Sequence, residues 1–238
     1  MSRMLASVSS VDETRIVLDA GVDIIDLKNP SQGALGALPL NVIDAIVQAI
    51  GGRRLVSATI GDLPMHPALV MQRAEVVAAT GVNIVKIGFF GRTSHLDCLR
   101  ALKPLALRGQ HMVAVLFADE LPDMNLLPEL AKAGFHGVML DTAHKNGKRL
   151  LDYLSICELQ RFVQLAKSLD LLTGLAGSLR ESDISQLVPL APDYLGFRGA
   201  LCEQSCRIGE LDRHSIERLL KVLYKCNKMH EKQVYCPA

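Results

Sequence analysis

The chain has 238 residues, with 26 Lys+Arg against 25 Asp+Glu and a formal net charge of +1 at pH 7. That balance argues against a dedicated nucleic-acid binder, which carries a strong basic excess, while leaving room for a local anion site. Hydrophobic residues make up 49% and aromatics 4%, with no Trp, so one large α/β domain or two small ones can be filled by a core of Leu, Val, Ile and Ala.

Strand-like and helix-like stretches alternate from the N-terminus on. The stretch 3-RMLASVS-9 precedes a helical pattern over 11–20, and 22-VDIIDLK-28 precedes one over 40–50. Then come 54-RLVSATIG-61 with helix 67–80, 83-NIVKIGFF-90 with helix 94–107, and 111-HMVAVLFA-118 with helix 124–133. The chain continues with 137-GVMLDTA-143 and helix 155–169, 171-LLTGLAG-177 and helix 181–188, and 194-YLGFRGA-200 and helix 212–227. Most strands are short, continuous apolar runs, as expected of parallel strands buried on both faces. Gly21, Gly81 and Gly134 end three helices where a left-handed residue is expected, and Ser155, Asp183 and Asp212 are candidate N-caps.

No linker or low-complexity stretch divides the chain. About eight βα units in one domain, near the roughly 250 residues typical of the fold, predict a (β/α)8 TIM barrel over 1–228. The segment 229–238 is read as a poorly ordered C-terminal extension. An open doubly wound sheet is the runner-up, but its first βα turn, 7-SVSSVDE-13, contains no glycine and so lacks the dinucleotide fingerprint. No stretch reaches the roughly 18 unbroken apolar residues of a membrane span. The N-terminus MSRMLASVSSVDETR turns polar too soon for a signal peptide, which predicts a soluble cytoplasmic protein with no membrane partner. The six cysteines are scattered and read as free thiols, and the seven histidines form no HxH or HExxH pattern. No metal and no cofactor is expected.

In such a barrel the site lies at the C-terminal ends of the strands. Polar residues there are informative. Asp26 and Lys28 end the second strand, two apart and therefore on one face. Ser57, Thr59 and Asp62 follow on the third, Lys86 lies inside the fourth, and Asp119 ends the fifth. Asp141 ends the sixth with Lys145 beyond it, and Arg198 ends the eighth.

A lysine inside a core strand is costly unless paired or neutral. For Lys86 two readings stand open: an ion pair in the barrel with Asp26 or Asp141, or a neutral amine acting as nucleophile or base. Lys28 with Asp26 is open in the same way, as a salt bridge closing the barrel top or as a Schiff-base lysine with an acid to move protons. Lys145 beside Asp141 is a further candidate, and Lys148 reads as a solvated loop charge. The loops 176-AGS-178 and 198-RGAL-201 follow strands seven and eight, where a phosphate is often held by backbone N–H groups. Gly177, Ser178 and Gly199 fit that role, with Arg198 as a charged clamp. Lysine chemistry on a small phosphorylated carbonyl compound, of class I aldolase or isomerase type, follows from these pieces.

The series 24-IIDLKNPSQGALGA-37, 55-LVSATIGDLP-64, 84-IVKIGFFG-91, 138-VMLDTAHKNGK-148, 175-LAGSL-179 and 196-GFRGALC-202 resembles the (5-formylfuran-3-yl)methyl phosphate synthase family of methanofuran biosynthesis. The resemblance spans nearly the whole chain. It implies a TIM barrel that condenses two molecules of glyceraldehyde 3-phosphate into a phosphorylated furan aldehyde, releasing phosphate and water. It places the family's Schiff-base lysine on Lys28 and its proton-accepting lysine on Lys86, and it matches Asp26, Asp141 and Lys145 to family positions. The stretch 202-CEQSCRIG-209 departs from a more glycine-rich family loop, and the tail 226-CNKMHEKQVYCPA-238 extends beyond the pattern.

The alternatives are an aldolase, epimerase or decarboxylase of another sugar phosphate and, from another class, a non-catalytic sensor of phosphorylated metabolites. The D-x-K motif of orotidine-decarboxylase-like barrels begins similarly but requires a further Asp where Ser31 stands. The loop Asn29–Ala37, rich in small residues, is expected to leave room over Lys28 for two trioses. A homo-oligomer is compatible with the sequence, which does not specify it.

Overall fold

The computed structural model describes residues 1–235. Eight parallel strands run in chain order: β1 (Arg3–Val8), β2 (Ile24–Leu27), β3 (Leu55–Thr59), β4 (Ile84–Gly88), β5 (His111–Phe117), β6 (Gly137–Asp141), β7 (Leu172–Leu175) and β8 (Tyr194–Phe197). Each pairs with the next, and β8 pairs back onto β1 through Leu5↔Gly196 and Ala6↔Phe197, closing a barrel. That closure rules out the open sheet. The helices around it are α1 (Val11–Asp19), α2 (Leu40–Ile50), α3 (Pro67–Ala78), α4 (His95–Leu107), α5 (Leu126–Lys132), α6 (Leu150–Tyr153), α7 (Ile156–Ser168), α8 (Ile184–Leu187) and α9 (Arg213–Tyr235).

The strands fall inside the stretches read from the sequence, each slightly shorter. Gly21, Gly81 and Gly134 take the positive φ that ends their helices. Ser155 and Glu158 form a reciprocal cap on α7, and Asp212 accepts from the N–H of Ser215 at 3.0 Å at the start of α9. Asp183 is a correction: it does not cap α8. Its carboxylate is buried and accepts instead from the Arg180 N–H at 2.8 Å and from the Arg149 guanidinium at 2.6 Å. The single helix expected over 181–188 is three short pieces, 3-10 turns at Glu181–Asp183 and Val188–Leu190 on either side of α8. Pro189 has no N–H to continue the α-helical ladder. The boundary expected at 228 falls within α9, which continues to Tyr235; residues 236–238 lie outside the described residues. No helix among the described residues is long and apolar enough to cross a membrane.

Two apolar layers pack the molecule. The outer one, between strands and helices, includes Ile25, Leu27, Val85 and Ile87 from the outward faces of β2 and β4. The inner one fills the lumen with Leu5, Ile24, Ile84, Val113, Met139 and Tyr194. Strand alternation then lifts a polar layer above that floor. Ser7, Asp26 and Ser57 stand side by side in register one step above Leu5 and Ile24, and Thr59 stands beside Lys86. The apolar floor keeps water from the underside of these groups, so their charges meet in a poorly screened space.

The loop after β2 folds inward on one side of the mouth, and none of its residues from Asn29 to Ala37 lines the cavity that Lys28 faces. Its ends are joined by the Asn29 N–H donating to the Gly36 carbonyl at 2.8 Å. Asp62, just past β3, accepts from the N–H groups of Ala34 (2.8 Å) and Leu35 (2.7 Å). Both residues are fully buried in the lumen layer. Leu35 reaches over Gly88, where a Cβ would lie 2.8 Å from its Cδ1. The loop therefore plugs the mouth on the β3–β5 side, because small residues let it fold inward.

Candidate active site

The remaining part of the mouth is a cavity of about 770 Å³, lined from β1, β2, β4, β6 and β8 and from the loops after β2, β6, β7 and β8. Lys28, Lys86, Asp26, Asp141 and Lys145 all line it, as do Gly177, Ser178, Arg198 and Gly199. These nine candidates thus converge on one space, whereas Ser57, Thr59, Asp62 and Asp119, also singled out along the sequence, do not line it.

Asp26 is fully buried and its carboxylate is saturated. Its Oδ2 accepts from Lys86 Nζ at 3.0 Å and from Ser7 Oγ at 3.0 Å, and its Oδ1 accepts from Ser57 Oγ at 2.6 Å. The partner of Lys86 is therefore Asp26 rather than Asp141. Ser7 was not anticipated, although alternation along 3-RMLASVS-9 puts it on the lumen face with Leu5.

Asp141 belongs to a second group. Its Oδ1 accepts from Lys145 Nζ at 2.8 Å and from the Thr142 N–H at 2.7 Å. Burial alone would raise its pKa, but Lys145 and Lys28 outweigh that and hold the carboxyl well below the usual range. The loop carrying Lys145 is fixed by Asp119, which accepts from the N–H groups of Ala143 (2.8 Å) and His144 (2.7 Å).

Lys28 lies between the two groups and hydrogen-bonds to neither. Its Nζ is 3.9 Å from Asp141 Oδ2, and its side chain is only 7% exposed. Burial, reinforced by the charges of Lys145 and Lys86, lowers its pKa from 10.5 to about 8 against the pull of Asp141 and Asp26. Near neutral pH an appreciable fraction of this amine is unprotonated, as a nucleophile requires.

The loops after β7 and β8 face the same cavity. Gly177 has φ +109° and Ser178 φ +50°; a Cβ at 177 would stand 3.0 Å from Thr142 Cγ2, so only glycine fits closely there. The N–H groups of Gly177, Ser178 and Gly199 meet no protein acceptor among the described residues. Successive N–H groups in such a turn form a concavity suited to an anion. Arg198, expected as a clamp, has its guanidinium engaged elsewhere. It forms a two-pronged pair with Glu13 (2.7 and 2.9 Å) and donates to the carbonyls of Ser7, Arg207 and Gly209. Arg207, from the divergent stretch 202–209, lines the cavity as well. A basic residue in the loop after the last strand was the available signal for it; nothing in the sequence marked Glu13.

Among the described residues no group of three or more His, Cys, Asp or Glu is placed to hold a metal ion, and the five cysteines there are free. Fold and site together define a (β/α)8-barrel enzyme whose mouth, lined by lysine and arginine, suits a small phosphorylated substrate. The 4-HFC-P synthase family model matches residues 4–220, and the chain belongs to that family. A relative from Methylorubrum extorquens is 38% identical over 221 residues, covering 93% of this chain and 91% of that protein. The (5-formylfuran-3-yl)methyl phosphate synthase of Methanopyrus kandleri is 37% identical over 93% of this chain and 98% of its own; that of Methanocaldococcus jannaschii is 34% identical over 91% and 97%. Among solved structures, phosphoribosyl anthranilate isomerase from Thermus thermophilus superposes with a TM-score of 0.67 at 13% identity, over 94% of this chain and 98% of that one. The 3-hexulose-6-phosphate synthase of Salmonella typhimurium gives 0.63 at 17% identity, over 93% and 99%. At these identities the structural likeness bears on the barrel alone.

Proposed function

We propose that the protein is a (5-formylfuran-3-yl)methyl phosphate synthase that condenses two molecules of glyceraldehyde 3-phosphate in a methanofuran-type pathway, as an aldolase-like lyase. The observation that carries this reading is the division of labour among the buried lysines. Lys86 is bound to Asp26 at 3.0 Å and Lys145 to Asp141 at 2.8 Å, while Lys28 has neither hydrogen bond and has its pKa lowered to about 8.

In this scheme the amine of Lys28 adds to the carbonyl of one triose phosphate and water leaves, giving an imine. Loss of a proton from the adjacent carbon gives an enamine, the Lys86–Asp26 pair acting as acceptor and store of that proton. The enamine carbon attacks the aldehyde of the second triose phosphate and forms the new carbon–carbon bond. Hydrolysis releases the lysine, and ring closure with loss of one phosphate and, in net, two waters leaves the six-carbon furan aldehyde phosphate. Aromaticity drives the last steps.

Borohydride reduction in the presence of glyceraldehyde 3-phosphate, followed by peptide mass analysis, is expected to place the adduct on Lys28. Product formation is expected to vanish in Lys28→Ala. An adduct on another residue, or an active Lys28→Ala, sinks the mechanism. The product separates this reading from a plain aldolase, since a conjugated furan aldehyde absorbs in the near-UV and an aldol does not.

A further inference from the structure

The loop Cys202–Gly209 is a small, braced structure rather than a loose connection. A bridge between Cys202 and Leu211 closes its base, and the Glu203 N–H donates to the Glu210 carbonyl at 3.1 Å. Arg198 supports it from below, donating to the carbonyls of Arg207 (2.8 Å) and Gly209 (2.9 Å). Of this loop Ser205 and Arg207 line the cavity, and Arg207 supplies the charge. Its backbone lies against Gly199, where a Cβ would stand 3.7 Å from Arg207 Cβ. Its guanidinium crosses to the opposite loop, donating from Nη2 to the Gly33 carbonyl at 2.9 Å.

Most cations of the cavity are already matched to carboxylates: Lys86 to Asp26, Lys145 to Asp141, Arg198 to Glu13 and Arg218 to Glu181. Arg180 is exposed at the rim. Arg207 is half-buried and has no carboxylate within ion-pair distance among the described residues; its one hydrogen bond is to a neutral carbonyl. A guanidinium has five N–H donors in a fixed fork, so most of this fork is unused. Such a cation, held in place and partly desolvated, is a ready partner for a phosphate dianion. Burial also pulls its pKa below the usual arginine value, with Asp141 and Asp62 opposing and Arg198 adding to the fall.

We propose that Arg207 binds the phosphate of the second triose phosphate, the one attacked by the enamine, on the β2 side of the mouth, while the phosphate of the triose on Lys28 rests on the Gly177, Ser178 and Gly199 backbone. Arg198 is then a positioning residue, which holds the loop that carries Arg207. The proposal rests on the reading of two phosphorylated substrates given above.

The test compares wild type, Arg207→Ala and Arg207→Lys, with the second aldehyde supplied either as glyceraldehyde 3-phosphate or as unphosphorylated glyceraldehyde. Loss of a charged hydrogen-bonded contact lowers product formation from glyceraldehyde 3-phosphate in Arg207→Ala on the order of 10- to 100-fold. Rates with glyceraldehyde stay level, so the preference for the phosphorylated aldehyde collapses, and Arg207→Lys recovers part of it. Borohydride trapping on Lys28 stays at the wild-type level. An Arg207→Ala chain that keeps the wild-type preference overturns the proposal, and so does one that loses the Lys28 adduct, since Arg207 would then serve the first triose. Absence of the adduct from wild type is a different failure: it strikes the Schiff-base reading, while the preference ratio still judges Arg207.

Discussion

Lys28 Nζ stands 3.9 Å from Asp141 Oδ2, close enough to feel the carboxylate and too far for a hydrogen bond. Lys145 occupies the other oxygen of the same carboxylate, Oδ1, at 2.8 Å. The carboxylate is thereby shared unequally, and the lysine left with the smaller share is the one whose pKa falls to about 8.

The pH dependence of activity follows from that arrangement. The neutral fraction of Lys28 grows as pH rises through about 8, so the rate of the proposed imine formation is expected to rise with an inflection there. Lys145→Gln removes a repelling charge and frees Asp141 to attract Lys28, moving the inflection to higher pH. Asp141→Asn removes an attracting charge and moves it lower. Trapping rates measured across the pH range check all three, and an inflection that ignores both substitutions contradicts the electrostatic account.

Lys28 is held at a thermodynamic disadvantage. A drop from 10.5 to about 8 corresponds to about 3 kcal/mol for keeping the ammonium in the fold at neutral pH. Lys28→Met is therefore expected to be inactive and more stable, by up to about 3 kcal/mol in urea unfolding. Between pH 8 and 10.5 the unfolded chain still holds a proton that the folded chain has released, so the wild type gains stability as pH rises. The advantage of Lys28→Met is largest below pH 8 and fades towards 10.5. A variant less stable than wild type at neutral pH would contradict this.

The Lys86–Asp26 pair behaves in the opposite way. Both side chains are almost wholly buried, so Lys86→Met leaves a carboxylate supported only by the hydroxyls of Ser7 and Ser57. A cost of about 3–5 kcal/mol is expected. Adding Asp26→Asn neutralises the stranded group, and the double variant recovers a large part of the loss. Additive effects in that cycle would mean that the pair is not coupled.

Asp62 determines how much of the mouth is open. Asp62→Ala deprives the Ala34 and Leu35 N–H groups of their acceptor, at a cost of roughly 1–3 kcal/mol for each group left unpaired. Amide exchange at Ala34 and Leu35 is expected to accelerate at least about 10-fold, with a smaller change in β1 and β8. Unchanged exchange at those two amides would show that Asp62 does not hold the plug.

Much of this was legible along the chain because barrel strands are local in character. A four- to seven-residue apolar run buried on both faces announces itself, and the turns around it carry their own chemistry. Alternation put Asp26, Lys28 and Lys86 on the lumen side without reference to any partner. The diverted cap at Asp183 was less visible, since it depends on Arg149, 34 positions away, whereas the break at Pro189 is a local signal. The loop Asn29–Ala37 illustrates the limit: its small residues fit either an open turn or an inward plug, and Asp62, 28 positions beyond Ala34, selects the second.

The sequence by itself determined the eight βα units, the lumen position of the lysines and the family. The tertiary structure decided the pairing of charges: Lys86 with Asp26, Lys145 rather than Lys28 closest to Asp141, Arg198 with Glu13, and Arg207 with no carboxylate among the described residues. Which carboxylate meets which cation depends on the stagger of eight strands around a closed ring and on the reach of long side chains across it. Neither quantity is written in any short stretch of the chain, and in a poorly screened lumen a difference of about an ångström separates a lysine bound to Asp141 from one left without that hydrogen bond.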